Sequence, residues 1–195
     1  MITAQAVLGH VKYVRQGVDK TTALLLVHYA QAWTLAWRGE PLFAEPIEAW
    51  EHGPAVPAAH AAFSTTLPRK LVLSGEDAGD RRREIDAVIA HYGALTPSAL
   101  VARVKSEAPW AEAAAGGRPA FASGPEIPTE ALRDFHAARV DAADSPRRPG
   151  AAEAAREAEQ RRARELRDQI TARFESGIPV RPARDEHSVH RPDQG

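Results

Sequence analysis

Residues 19–39, DKTTALLLVHYAQAWTLAWRG, decide the fold. Leu24, Leu25, Leu26, Val27, Tyr29, Trp33, Leu35, Ala36 and Trp37 cover most sides of a helix. Asp19 is a good N-cap for it, and Gly39 a good C-terminal stop. At ~1.5 Å per residue it spans about 28 Å. A helix apolar nearly all round belongs at the centre of a bundle. His28 and Gln31 interrupt its apolar run, which is shorter than the ~20 residues a membrane span needs. The expectation is a buried helix in a soluble, cytoplasmic protein.

The flanking sequence supplies helices to surround it. Ala4, Val7, Leu8, Val11 and Val14 form one helical face over 3–16. Pro57 opens a short helix through His60 and Phe63, since its missing N–H costs nothing in the first turn. Ile85, Val88, Ile89 and Tyr92 predict a helix over 81–93. Thr96 caps another that begins at Pro97 and carries Leu100, Val101 and Val104. Pro109-Trp110 opens a short helix ending at Gly116-Gly117, and Thr129 caps a last core helix through Val140. Residues 47–50 read as extended, with 69–73 as a short strand to pair with them. The fold class is therefore mainly α: a helical bundle with a short two- to three-stranded β element.

Composition changes after residue 140. DAADSPRRPG, 141–150, reads as a linker. Residues 151–176 are rich in Ala, Glu, Arg and Gln, a helix-forming mixture whose charges balance. Only its second half carries an apolar stripe, Leu166, Ile170 and Phe174. Such a stripe either packs back on its own core or holds a partner by helix-in-groove docking. Residues 177–195, with three prolines and few large apolar groups, read as a disordered tail. The expected division is a core domain over 1–140, the linker, the charged helix and the tail.

Several kinds of chemistry find no support. The chain of 195 residues has a formal charge of −1 and no cysteine. That balance argues against a dedicated nucleic-acid binder. The missing cysteines exclude disulfides, thiolate zinc sites and thiol nucleophiles. His52 and His60 would need a third ligand such as Glu48 or Glu51, and no HExxH spacing exists. His187 and His190 fall in the tail. Ser64, Ser74, Ser98 and Ser106 lack a G-x-S-x-G context, and there is no phosphate-binding loop. Arg81, Arg82 and Arg83 open a helix where acidic neighbours balance them. The pair 81–93 and 97–106 could imitate a helix-turn-helix, but its second helix offers only Arg103 and Lys105 as readers. No catalytic residue, metal ligand or cofactor site is expected.

PIEAWEHGPAVP, residues 46–57, needs its own account. Gly53 tolerates a positive φ. Pro54 and Pro57 fix φ and restrict the residues before them. The result is a stiff corner between an extended piece and a helix. It either turns the chain while Trp50 plugs the core, or presents a preorganised surface to a partner. The two roles are compatible.

Tyr29-Ala-Gln31-Ala-Trp33, Leu35-Ala36, Gly39-Glu-Pro41-Leu42-Phe43 and the run from Ile47 through Trp50, His52, Gly53, Pro54 and Val56 to Pro57 resemble the SocA-like antitoxin domain, also called the Panacea domain. That family is related to phage-associated GepA-type proteins. Tyr92-Gly93, Leu95, Leu100, Glu107-Ala-Pro109-Trp110 and Ala113 continue the pattern, and the resemblance covers roughly residues 5–140. It implies the antitoxin half of a toxin–antitoxin system, acting by direct protein–protein interaction. The implied partner is a cognate toxin encoded next door, with a cellular protease joining it if neutralisation works through degradation. The alternatives are a DNA-binding autoregulator and a phage-associated accessory protein without a toxin. Thr22 and Leu25 stand where the family often has lysine, His28 where it has tyrosine, and Ala55 where it has valine. Whatever those lysines contact in relatives is not carried over.

Overall fold

The structure is a computed structural model that describes residues 2–67, 71, 73, 75 and 78–175, without the side chains of 151–158 and 173–175. The chain divides into two compact units, one ending at Pro149 and one starting at Gly150. The first holds helices α1 (Ala4–Val14) and α2 (Lys20–Arg38), strands β1 (Glu48–Trp50) and β2 (Gly53–Ala55), and helices α3 (Pro57–Ala62), α4 (Ala78–Gly93), α5 (Pro97–Ser106), α6 (Ala108–Gly116) and α7 (Thr129–Ala137). The second holds α8 (Ala151–Glu175). The mainly helical class with a small β element is what the sequence pattern predicts.

The central position of α2 is observed. Every residue from Thr22 to Leu35 is buried, and α1, α3, α4, α5, α7 and β2 all pack against it. Its ends are fixed as its sequence requires. The Asp19 carboxylate accepts from the Thr22 N–H at 2.9 Å. Gly39 takes φ 74° and donates its N–H to Leu35 O, the left-handed stop that glycine makes without steric cost. Thr3 caps α1 and Thr96 caps α5 by accepting backbone N–H groups. Among the described residues no single helix is long and apolar enough to cross a membrane.

The β element is an antiparallel hairpin with Glu48 opposite Ala55, Ala49 opposite Pro54 and Trp50 opposite Gly53. The second edge of β1 is taken by the chain before α7. Ala49 N–H donates to Pro125 O at 2.8 Å, Ile127 N–H to Ile47 O at 2.7 Å, and Glu51 N–H to Ala120 O at 3.0 Å. Both edges of β1 are thus occupied, which excludes the expected pairing with 69–73. Residues 69, 70 and 72 lie outside the described set, and Leu71 is buried in the core. Gly124 permits the close approach of the new neighbour: a Cβ there would lie 1.9 Å from Ala49 O.

Two boundaries differ from expectation. Thr129 is the first residue of α7, and Pro128 is its cap, with no side-chain hydrogen bond. The helix ends at Ala137 rather than Val140, because Arg139 and Val140 donate to carbonyls three residues back, tightening the chain into turns. The stretch 141–149 is fastened to the first unit. Ser145 and Pro146 are buried. Arg148 Nε donates to Glu84 Oε1 at 2.6 Å, while Arg38 Nε donates to Glu84 Oε2 at 2.6 Å. Arg103 holds both the carbonyl and the carboxylate of Asp144. The tail beyond 175 lies outside the described residues.

Candidate partner-binding site

The 46–57 corner is built from the residues expected to stiffen it. Glu51 and His52 turn the chain between the strands and are exposed, and Gly53 takes φ 122°. A Cβ on Gly53 would lie 3.2 Å from Leu25 Cδ2 and 3.3 Å from Val104 Cγ1. The backbone is therefore pressed against α2 and α5 at a position where a side chain is doubly disfavoured. Trp50 is buried. Its indole N–H donates to Glu48 Oε2 at 2.7 Å, and its carbonyl accepts the Trp110 indole N–H at 3.2 Å.

Beside this corner lies an apolar groove of about 230 Å³. Leu24 and Leu25 from α2 and Trp50, Pro54 and Ala55 from the hairpin form its walls. Lys20, His52, His60 and Phe121 stand around it. His60 meets Trp50 edge-on with centroids 4.8 Å apart, and His52 meets Phe121 at 5.8 Å. Phe121 is 68% exposed. Burial first, then the nearby Lys20 charge, lowers the His60 pKa. A broader, open depression of about 700 Å³ adjoins the groove, sharing Thr21 and His52 and continuing over Pro97, Val101 and Lys105.

Beneath the corner lies a buried polar network. Tyr29 OH donates to Glu107 Oε1 at 2.9 Å, and the Trp33 indole N–H donates to Tyr92 OH at 2.9 Å. The Tyr29 and Tyr92 rings stack at 3.6 Å. His136 packs edge-on against Trp33, its Nδ1 is 3.0 Å from Leu132 O, and its Nε2 is 3.8 Å from Glu107 Oε2. An Nδ1–H donor to that carbonyl leaves the Nε2 lone pair facing the carboxyl. Burial pushes Glu107 up to about 7, against the lowering effects of the Tyr29 hydrogen bond and the Arg103 charge. Burial also raises Tyr92 to about 12 and Tyr29 further. It lowers His136 to about 4 and His28 to about 3, so both imidazoles are neutral near pH 7. Neither depression is lined by this network. Its direct effect is to tie α2, α4, α7 and the start of α6 together.

The residues singled out from sequence fall into separate places. Gln31 is a backbone clamp: its Oε1 accepts from Leu42 N–H at 2.8 Å and Phe43 N–H at 3.1 Å, and its Nε2 donates to Phe43 O at 3.0 Å. Pro41, partly buried, leads into that clamp, and Leu42 is core. Tyr29 and Trp33 belong to the buried network, and Val56 and Pro57 are the cap and first residue of α3. Pro109 is buried in the first turn of α6, while the ring of half-buried Trp110 lies under Lys105 Nζ at 4.8 Å. Only Trp50, His52, Gly53 and Pro54 meet at the groove. On α8, Leu166 and Ile170 are exposed, and the Phe174 side chain lies outside the described residues.

Arg82 donates to Leu71 O, Arg83 pairs with Asp80, and Arg103 is held by Asp144. Lys105 donates to Glu51 O at 3.1 Å. The basic groups of α4 and α5 are thus engaged within the domain. Among the described residues no group of three or more His, Asp or Glu could hold a metal ion.

Lys20, Thr21, Phe121, Gly124 and His136 are not singled out in the sequence reading, and Tyr92, Arg103 and Glu107, named there as a helix face, a possible reader and a motif position, come together in the buried network. Gly124-Pro125, three residues after an aromatic, was a readable sign of a close backbone approach. Nothing local marks His136 as buried.

The described residues thus define a helical domain wound round one buried helix, with a rigid hairpin corner beside an apolar groove. Residues 25–111 are similar to the family model described as "Antitoxin SocA-like, Panacea domain". The match is shorter than the 5–140 expected, leaving α1, α7 and the 120–127 edge outside it. No curated protein and no solved structure matches the chain.

Proposed function

We propose that the protein is the antitoxin of a toxin–antitoxin system and neutralises a cognate toxin, encoded beside it, by direct binding. The observation that carries this reading is the SocA-like Panacea match over 25–111. The geometry agrees with it: the family corner borders an apolar groove with an exposed aromatic at its rim, a surface suited to a protein partner. Catalysis is not part of the proposal: the most strongly perturbed titratable groups, Tyr29, Tyr92, Glu107, His28 and His136, do not line the groove. The domain acts inside the cytoplasm, where its toxin is made. Leu166, Ile170 and Phe174 on α8 supply a second contact by laying an apolar stripe into the toxin.

Growth rescue tests the proposal. The neighbouring gene is expressed alone, with residues 1–195, and with residues 1–149. Toxicity relieved by the full chain is the expected result, and failure of the shorter chain assigns a required contact to α8. Leu166→Asp with Phe174→Asp then abolishes rescue. A harmless neighbour, or one never relieved, overturns the antitoxin reading and leaves an accessory role. A shift of the upstream DNA by the protein, weakening steeply with salt, would instead support an autoregulator.

A further inference from the structure

We propose that the groove beside the hairpin seats one large apolar side chain of a protein segment whose flanking residues are acidic. The partner is the toxin, so this assignment rests on the antitoxin reading. Size comes first. About 230 Å³ falls below the ~300–1,000 Å³ of typical cofactor and small-molecule sites. It exceeds the ~150 Å³ that holds a benzene ring. One aromatic or long aliphatic side chain fits.

Wall chemistry selects the anchor. Leu24, Leu25, Trp50, Pro54 and Ala55 present carbon, and desolvating a large apolar group there contributes the main attraction. The floor is preorganised. Gly53 is pressed between α2 and α5, and Pro54 has a fixed φ, so little ordering is required on binding. Phe121, 68% exposed, stands where it can close over an inserted side chain. Exposed aromatics at the mouth of a pocket are the residues from which interface hot spots are built.

Rim charge selects the flanks. Every ionisable group lining the groove is basic: Lys20, His52 and His60, with no carboxylate among them. Lys20 occupies the first position of α2, which has no acidic residue in its first turn. A cation there opposes the helix dipole, so its placement costs stability and suits an incoming anion. The adjoining depression holds Lys105, whose ammonium also donates to Glu51 O, and one carboxylate, Asp19, which caps α2. A segment anchored in the groove therefore runs on over Thr21 and His52 toward Lys105. A nucleic acid suits the site less well. No arginine lines it, Lys20 is its one permanent charge, and a phosphate backbone needs a longer basic track.

Fluorescence anisotropy on the full chain tests the chemistry directly. The probes are short labelled peptides with a central tryptophan between aspartates, the same tryptophan between lysines, and alanine between aspartates, together with an oligothymidylate. The acidic tryptophan peptide is expected to bind about tenfold or more tightly than each other probe. Phe121→Ala weakens it, and Lys20→Glu removes the preference for aspartate flanks. Tyr13→Ser, at an exposed aromatic outside the groove, changes neither. Circular dichroism melts show that each variant folds. Equal binding of the lysine-flanked or alanine peptide, or tighter binding of the oligonucleotide, overturns the proposal. The same variants enter the growth-rescue assay. If the wild-type chain rescues and Lys20→Glu with Phe121→Ala rescues equally well, the groove assignment fails while the antitoxin reading stands. If the wild-type chain never rescues, the antitoxin reading fails and takes the toxin assignment with it, whatever the peptides do.

Discussion

Glu107→Gln isolates the buried carboxyl of the network. Burial raises Glu107 from 4.5 to about 7 in the folded protein. A carboxyl with a raised folded value holds its proton more tightly in the native state. Its contribution to stability is fully present below pH 4.5 and is lost as pH climbs to about 7. That interval corresponds to roughly 3 kcal/mol. His28 and His136 act in the opposite sense. Their folded values fall from 6.5 to about 3 and about 4, so stability present above pH 6.5 is lost as pH drops toward those values. Glutamine keeps the Oε1 acceptor for the Tyr29 hydroxyl. Its amide faces His136 Nε2, a buried atom with no hydrogen-bond partner. Urea unfolding followed by tryptophan fluorescence at pH 5 and pH 8 is the assay. At pH 8 the variant is expected to gain about 2–3 kcal/mol over the wild type, and at pH 5 the two lie within about 1 kcal/mol. Equal differences at the two pH values would refute the assignment of a raised carboxyl to this site.

Other substitutions probe the frame. Gln31→Leu strands two buried N–H groups and a carbonyl at Leu42 and Phe43, a loss of about 3 kcal/mol or more by denaturant titration. Gly53→Ala combines φ 122° with contacts of 3.2 and 3.3 Å, so a loss of roughly 1–3 kcal/mol is expected in thermal melts. Gly124→Ala places its Cβ 1.9 Å from Ala49 O, and amide exchange at Ala49 and Glu51 should rise sharply as the 120–127 edge lifts. Arg148→Ala releases one clamp on Glu84 while Arg38 stays, and limited trypsin digestion should then cut faster at Arg147.

The helical frame was legible because its signals are local. Asp19, Gly39, Thr96 and Pro97 start and stop helices through their own backbones, and the apolar content of 22–35 states the burial of α2. The partner of β1 was not legible, because 120–127 reaches it across about seventy to eighty positions and, Ile127 apart, has no β-branched residue and no alternation. Local propensity does not encode a backbone that fits beside a strand only because Gly124 has no side chain. The same limit explains the site. The corner at 46–57 stood out by composition, but the groove beside it is completed by Lys20, well before the corner, and Phe121, well after it. Likewise, Glu107 was visible as part of a motif, whereas its raised pKa depends on burial among helices distant in sequence.

The strand-like stretch ahead of α7 lies beyond the family span, yet it completes the sheet that the span begins. The span that matches the family model and the folding unit therefore have different borders. A chimera joined at residue 111 would leave the Ala49 and Glu51 amides without acceptors and strip α7 from α2. Exchange of C-terminal parts between relatives is thus constrained: an incoming piece must bring its own edge for β1 and its own helix for the open flank of α2.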